Sequence, residues 1–175
     1  MVRTDGTANG RAWWALDLGS YCPPGTSIPD LSNASPSGLR DAASRVEDLL
    51  DDRWMTPRGA VVLGGFSQGA MVASEVAFHS RAPLSALIIL SGTPVDERSW
   101  ERHFDERRGL PVFLAHGRND RTLPFEAADR FRQKLEAAGL QVTWFPFDGG
   151  HEIPASVVVA LNAFLARLRL GSFAS

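Results

Sequence analysis

The sequence predicts an α/β fold built on a mostly parallel sheet. Short apolar runs at 60–63, 86–90, 112–115 and 141–147 alternate with longer stretches of helical periodicity. The runs at 86–90 and 112–115 are continuous rather than alternating, as in strands buried on both faces. The glycine-rich stretch Gly65-Phe66-Ser67-Gln68-Gly69 joins the first run directly to a helical segment. Strands alternating with helices imply βαβ units with right-handed crossovers, and loops at the carboxyl ends of the strands then gather on one edge of the sheet.

Each element has its own signal. Residues 1–11 are polar and glycine-rich, which predicts a flexible start and not a secretory leader. Residues 12–18 are apolar and hold the Trp13-Trp14 pair. Residues 19–38 are rich in Pro, Ser, Gly and Asn, the composition of a long loop and candidate flap. Ser37 is the expected N-cap of a helix in which Leu39, Ala42, Ala43, Val46, Leu49 and Leu50 recur at helical spacing, ended by Pro57 and Gly59. The run at 60–63 reads as a strand, 70–78 as a helix and 86–90 as a strand. A polar connector with a short helix covers 91–109, and 112–115 is the next strand. Residues 124–138 form an amphipathic helix with Phe125, Ala128, Phe131, Leu135 and Ala138 on one side and Gly139 as its stop. Residues 141–147 are a strand. The closing helix, 154–169, should bury Val157, Val158, Leu161, Phe164, Leu165 and Leu168.

Composition narrows the function. With 175 residues, 44% hydrophobic and 22% charged, the chain fits one globular domain spanning 1–175. The formal net charge is -2 and no basic stripe points to nucleic acid. Arg107-Arg108 lies among Glu101, Asp105 and Glu106 and reads as solvated surface. The single cysteine, Cys22, excludes an intrachain disulfide and a cysteine-rich zinc site. No window approaches the roughly 18 apolar residues of a membrane span, so a soluble, cytoplasmic protein is expected.

The pentapeptide fits the pattern G-x-S-x-G between a strand and a helix. In that context a sharp turn lifts the serine hydroxyl out of the backbone, which makes Ser67 a candidate nucleophile. The alternative is a glycine-rich turn whose serine caps the helix. A serine hydroxyl needs a base, and histidine, oriented by a carboxylate, suits the task. Asp120 follows the strand at 112–115 and His151 follows the strand at 141–147, so both belong to strand-end loops. Asp120 has an alternative role as the cap of the turn before Pro124, and His151 as the start of the last helix. Asp148 is the competing carboxylate, but its closeness to His151 in sequence predicts a turn-shaping role. His79 and His103 read as surface residues, and His116 as a structural histidine bonded to the site loop. No two histidines have the spacing of a helical metal motif, so neither metal nor other cofactor is expected.

These blocks together resemble the phospholipase/carboxylesterase family of α/β-hydrolases, which includes the acyl-protein thioesterases. The markers are Arg11-Ala12-Trp13-Trp14-Ala15-Leu16-Asp17, Leu63-Gly64-Gly65-Phe66-Ser67-Gln68-Gly69-Ala70, Leu90-Ser91-Gly92, His116-Gly117-Arg118-Asn119-Asp120 and Gly149-Gly150-His151-Glu152-Ile153-Pro154. The resemblance implies an α/β-hydrolase fold and hydrolysis of small acyl esters or thioesters through an acyl-enzyme on Ser67. His151 would be the general base and acid, Asp120 its orienting carboxylate, and the Gln68 backbone N–H one oxyanion donor. Trp13 and Trp14 match the family's tryptophan near the site and are the candidate substrate-binding residues, one expected to line the acyl pocket and the other to belong to the core.

One departure is expected to matter. Family members carry several tens of residues before the block that matches Arg11, supplying the first strands of the sheet and a His-Gly loop with the second oxyanion donor. Without those strands, 60–63 becomes an exposed apolar edge, and a homodimer covering it is the expected remedy. Two functions follow: a serine carboxylesterase, or a catalytically weak or non-catalytic remnant that binds acyl ligands or a partner chain.

Overall fold

Four parallel strands in the order β3-β4-β5-β6 form the centre of the computed structural model, which describes residues 2–3, 11–15, 29–54, 61–81 and 83–171. They are β3 (Val61–Phe66), β4 (Leu84–Leu90), β5 (Pro111–Gly117) and β6 (Gln141–Phe147). The helices are α1 (Ser37–Trp54), α2 (Gln68–His79), α3 (Glu97–Glu101), α4 (Phe125–Ala137) and α5 (Ala155–Gly171), with a 3₁₀ turn at Phe104–Arg107. Ser37 is the first residue of α1 rather than a cap preceding it.

Side chains alternate across a strand, so a strand buried on both faces supplies two cores. Leu87 and Ile89 of β4 and Val112 and Leu114 of β5 enter one core with Leu39, Phe78, Phe131 and Leu135 from α1, α2 and α4. Ala86, Ile88, Phe113 and Ala115 enter the other with Val157 and Phe164 of α5. The sheet is therefore covered on both faces, as the continuous apolar runs predict.

The predicted buried faces are slightly too wide. Leu49 is 68% exposed although α1 packs on α2. Val158 is 46% exposed. It lies about 100° round the helix from Val157, off the stripe that meets the sheet.

β3 extends beyond the predicted 60–63 through Gly64, Gly65 and Phe66, each in register with β4. Gly64 is required there, since a Cβ would come within 2.7 Å of the Ile88 Cβ. Among the described residues β3 is also the edge of the sheet, with Val62 and Phe66 partly open to solvent.

Within 1–11, Val2–Arg3 (β1) pairs antiparallel with Arg11–Ala12 (β2). The second half of the candidate flap is fixed: Leu31 is fully buried, and the Ser32 and Ala34 carbonyls accept from the Glu97 and Asp96 amides at 2.9 and 2.8 Å. Residues 37–38 already belong to α1, while 19–28, Cys22, Pro57 and Gly59 lie outside the described residues. Arg107 is not solvated surface. Its guanidinium donates to the Ala77 and Ser80 carbonyls at 2.6 and 2.5 Å, satisfying the end of α2.

His79 is not a free surface residue either. Its Nδ1 lies 3.3 Å from Glu75 Oε1 and its Nε2 3.0 Å from Ser99 Oγ. Glu75 is buried, accepts from Arg40 Nη1 at 2.9 Å and also bonds Trp100 Nε1, tying α1, α2 and α3 together. Among the described residues, no helix is long and apolar enough to cross a membrane.

Candidate active site

Three loops leave the carboxyl ends of β3, β5 and β6 and meet at one place. Backbone rungs carry the sheet's order into them: Ser67 N–H donates to the Leu90 carbonyl at 2.9 Å, and Arg118 N–H to the Phe147 carbonyl at 2.9 Å. Asn119 N–H then donates to the Gly149 carbonyl at 2.9 Å. Gly117 permits this approach, because a Cβ there would lie 2.2 Å from the Gly150 carbonyl oxygen.

Ser67 sits at the turn between β3 and α2 with φ 55° and ψ −123°. Positive φ is uncommon for a residue with a side chain, and such strain clusters at functional sites. The two glycines of the motif are not equivalent. A Cβ on Gly65 would lie 2.2 Å from the Gly69 carbonyl carbon, so only glycine fits. A Cβ on Gly69 would meet nothing closer than Trp13 Nε1 at 3.4 Å.

Ser67 makes no side-chain capping bond to α2. Its Oγ instead lies 2.7 Å from His151 Nε2. His151 Nδ1 lies 2.7 Å from Asp120 Oδ2, which completes a chain of three side chains. His151 stands ahead of α5, which begins at Ala155, and its ring packs on Phe66 with centroids 4.9 Å apart.

Asp120 fills both roles that the sequence leaves open. Its Oδ1 accepts from the Thr122 and Leu123 amides at 2.8 and 2.9 Å, holding the turn before Pro124. Its Oδ2 accepts from His151. The residue is buried, which by itself raises a carboxyl pKa. Hydrogen bonds from His116, His151, Leu123 and Thr122 outweigh that effect and hold the carboxyl well below its ordinary range. An ionised carboxylate only accepts, so His151 Nδ1 carries the proton and Nε2 presents a lone pair to the Ser67 hydroxyl. In this arrangement His151 Nε2 is placed where it can accept the Ser67 hydroxyl proton. Asp148, the competing carboxylate, is 94% exposed and 3.9 Å from Arg118 Nε.

Two supporting residues complete the frame. His116 is fully buried, with Nε2 3.2 Å from the Leu123 carbonyl and 3.3 Å from Asp120 Oδ2. Ser91 Oγ donates to the Glu152 carbonyl at 3.2 Å, pinning the loop that carries His151. Ser91 was not singled out as a site residue, although Leu90-Ser91-Gly92 is one of the sequence markers.

Trp13 and Trp14 lie beside this group. Trp14 is core, 3% exposed, while Trp13 is half-buried. Trp13 N–H donates to Gln68 Oε1 at 2.6 Å, and Gln68 Nε2 donates to the Trp14 carbonyl at 3.0 Å. Gln68 is the first residue of α2, so its backbone N–H is one of those a helix start leaves without an intrahelical partner.

Residues 26–169 match the sequence profile of the family described as Phospholipase/Carboxylesterase. Acyl-protein thioesterase 1 of Yarrowia lipolytica is 26% identical over 144 residues, covering 77% of this chain and 63% of that protein. The putative hydrolase MhqD of Bacillus subtilis is 30% identical over 111 residues, covering 62% of this chain and 54% of its own. The chain therefore spans less than two-thirds of the length of these relatives. Among solved structures, Arabidopsis thaliana SOBER1 superposes with a TM-score of 0.73 at 22% identity, covering 90% of this chain and 74% of that one. Esterase PE8 superposes with a TM-score of 0.68 at 30% identity, covering 75% and 62%. With this profile spanning most of its length and an α/β-hydrolase sheet beneath it, the chain belongs to the phospholipase/carboxylesterase family.

Proposed function

We propose that this chain is a serine hydrolase acting on small acyl esters or thioesters through an acyl-enzyme on Ser67. The observation that carries the reading is the chain of hydrogen bonds from Ser67 Oγ through His151 to Asp120, 2.7 Å at each step. His151 Nε2 takes the hydroxyl proton as Ser67 Oγ attacks the carbonyl carbon. The tetrahedral oxyanion forms beside the N-terminus of α2, where the Gln68 backbone N–H is a donor and the helix dipole favours negative charge. His151 then returns its proton to the leaving alcohol or thiol, and the acyl group stays on Ser67. Water attacks in the second half, with His151 as base, and releases the acid. Asp120 stays ionised throughout and stabilises the imidazolium.

The relatives' names, acyl-protein thioesterase and esterase, support this substrate class. Trp13 is assigned to the acyl side of the site and Trp14 to its support. The reading includes a homodimer in which a second copy covers β3, supported by the position of β3 at the sheet edge and the exposure of Val62 and Phe66.

One observation favours a second reading, a weakly catalytic or non-catalytic acyl-binding remnant. The Trp13 N–H is already held by Gln68 Oε1 and is not offered to an oxyanion. Losing one oxyanion donor costs about 10²–10³ in rate in other hydrolases.

Hydrolysis of p-nitrophenyl esters by the wild type and Ser67→Ala decides between them. The esterase reading expects turnover that disappears in Ser67→Ala, together with fluorophosphonate labelling of Ser67. Equal rates in the two proteins would end it, and labelling without turnover would favour the weakly catalytic reading.

A further inference from the structure

We propose that the side chain of Gln68 is a positioning residue for acyl-chain selection, distinct from the role of its backbone N–H. Its carboxamide pairs with the main chain of the Trp13-Trp14 segment as a neighbouring strand would. Oε1 accepts from Trp13 N–H at 2.6 Å, and Nε2 donates to the Trp14 carbonyl at 3.0 Å. The partners are 55 and 54 residues away in sequence, so the side chain joins two segments that no backbone hydrogen bond connects among the described residues.

The clamp has a fixed end and a working end. Trp14 is buried and packs so tightly on the start of α1 that a Cβ on Gly38 would lie 2.4 Å from the Trp14 Cβ. Trp13 is half-buried and brings its indole Nε1 to 3.4 Å from where a Gly69 Cβ would stand, within two residues of Ser67. Holding the backbone at both residues fixes where the Trp13 indole stands relative to Ser67. An acyl group on Ser67 long enough to reach that indole would gain apolar contact with it, and a two-carbon acyl group would not. The consequence is selectivity for longer acyl chains, which resides in the Gln68 side chain although that side chain touches no substrate. This inference rests on Ser67 as the acyl-accepting nucleophile.

Gln68→Met keeps the length of the side chain and the backbone N–H but removes both polar atoms. In this variant the ratio of kcat/KM for p-nitrophenyl octanoate to that for the acetate should fall about tenfold, mainly through KM for the octanoate. Trp13→Ala should lower the same ratio, and the double variant should fall no further than Trp13→Ala alone. A ratio unchanged in Gln68→Met, or effects that add in the double variant, would overturn the proposal.

Hydrogen exchange supplies a readout independent of activity. The Trp13 amide should exchange at least tenfold faster in Gln68→Met, also in a Ser67→Ala background. Equal exchange in wild type and Gln68→Met would dismiss the clamp itself, whether or not Ser67 is the nucleophile. If the clamp is present but Ser67→Ala retains full hydrolysis, it is the catalytic assignment that fails, and the selectivity role falls with it.

Discussion

His116 Nε2 lies 3.3 Å from Asp120 Oδ2, the oxygen that also faces His151 Nδ1 at 2.7 Å. Two imidazoles thus converge on one carboxylate oxygen. Both neighbours of His116 Nε2, the Leu123 carbonyl and Asp120, are acceptors, so this nitrogen carries the proton. His116 holds the Asp120 carboxylate in place from inside the core.

Replacing His116 with Phe should therefore weaken both fold and catalysis. Buried hydrogen bonds to charged groups contribute about 1.5–3 kcal/mol, and a loss of about 2 kcal/mol is expected in urea unfolding. The kcat for ester hydrolysis should fall about tenfold with KM little changed, since Asp120 loses a fixed partner and the substrate does not. A variant as stable and active as wild type would show that His116 contributes only volume.

Asp120→Asn tests the carboxylate itself. The amide leaves the geometry in place but no longer favours the Nδ1–H tautomer, and kcat should fall about 10³–10⁴-fold. The acid limb of stability should change as well. The folded carboxyl is held below its ordinary pKa, so the folded state binds fewer protons than the unfolded chain. That stabilisation is fully present above the unfolded pKa of about 3.9 and drains away as pH falls through the lower folded value. Urea midpoints measured from pH 6 down to pH 3 should therefore fall less steeply in Asp120→Asn than in the wild type. Parallel profiles would mean that Asp120 titrates normally.

Asp120 and His151 were legible in the sequence because each follows an apolar strand directly, and strand ends are where an α/β sheet gathers its side chains. Ser67 was legible because its elbow demands a local pattern. What was hidden depends on pairings remote in sequence. Nothing in the residues around Glu75 announces a buried carboxylate, because its partners Arg40 and Trp100 come from other helices. The Gln68 side chain was hidden for the same reason, since its partners lie 55 and 54 residues away. The end of β3 was missed because Gly64 and Gly65 carry no strand propensity. They stay in the ladder because the backbone pairs and because Ile88 and Gly69 leave no room for a side chain.

The surroundings of Gly65 and Gly69 predict different fates for the motif's two glycines. Gly65→Ala drives a methyl into the Gly69 backbone at 2.2 Å, and backbone cannot swing aside as a flexible side chain does. A loss of more than about 3 kcal/mol, or no soluble protein, is expected. Gly69→Ala meets only Trp13 Nε1 at 3.4 Å, an ordinary contact, and should fold with a thermal midpoint within a few degrees of wild type. Circular dichroism melts of the two variants give the comparison. If both melted alike, the elbow would not be closed by backbone contact at Gly65.

The edge position of β3 leads to a prediction about assembly. An edge strand offers a row of backbone N–H and C=O groups, and a long apolar edge favours pairing with another chain. In β3 that edge also carries Val62, 40% exposed, and Phe66, 37% exposed, on the same face. Two copies related by a two-fold axis would pair β3 antiparallel with its counterpart and extend the sheet across the interface. Sedimentation or light scattering should therefore find a dimer at micromolar concentration. Val62→Lys places a charge of the kind that natural edges use against such pairing, and should shift the protein to monomer while the rate at Ser67 stays near wild type. A wild type that remained monomeric across a wide concentration range would rule out self-pairing at β3.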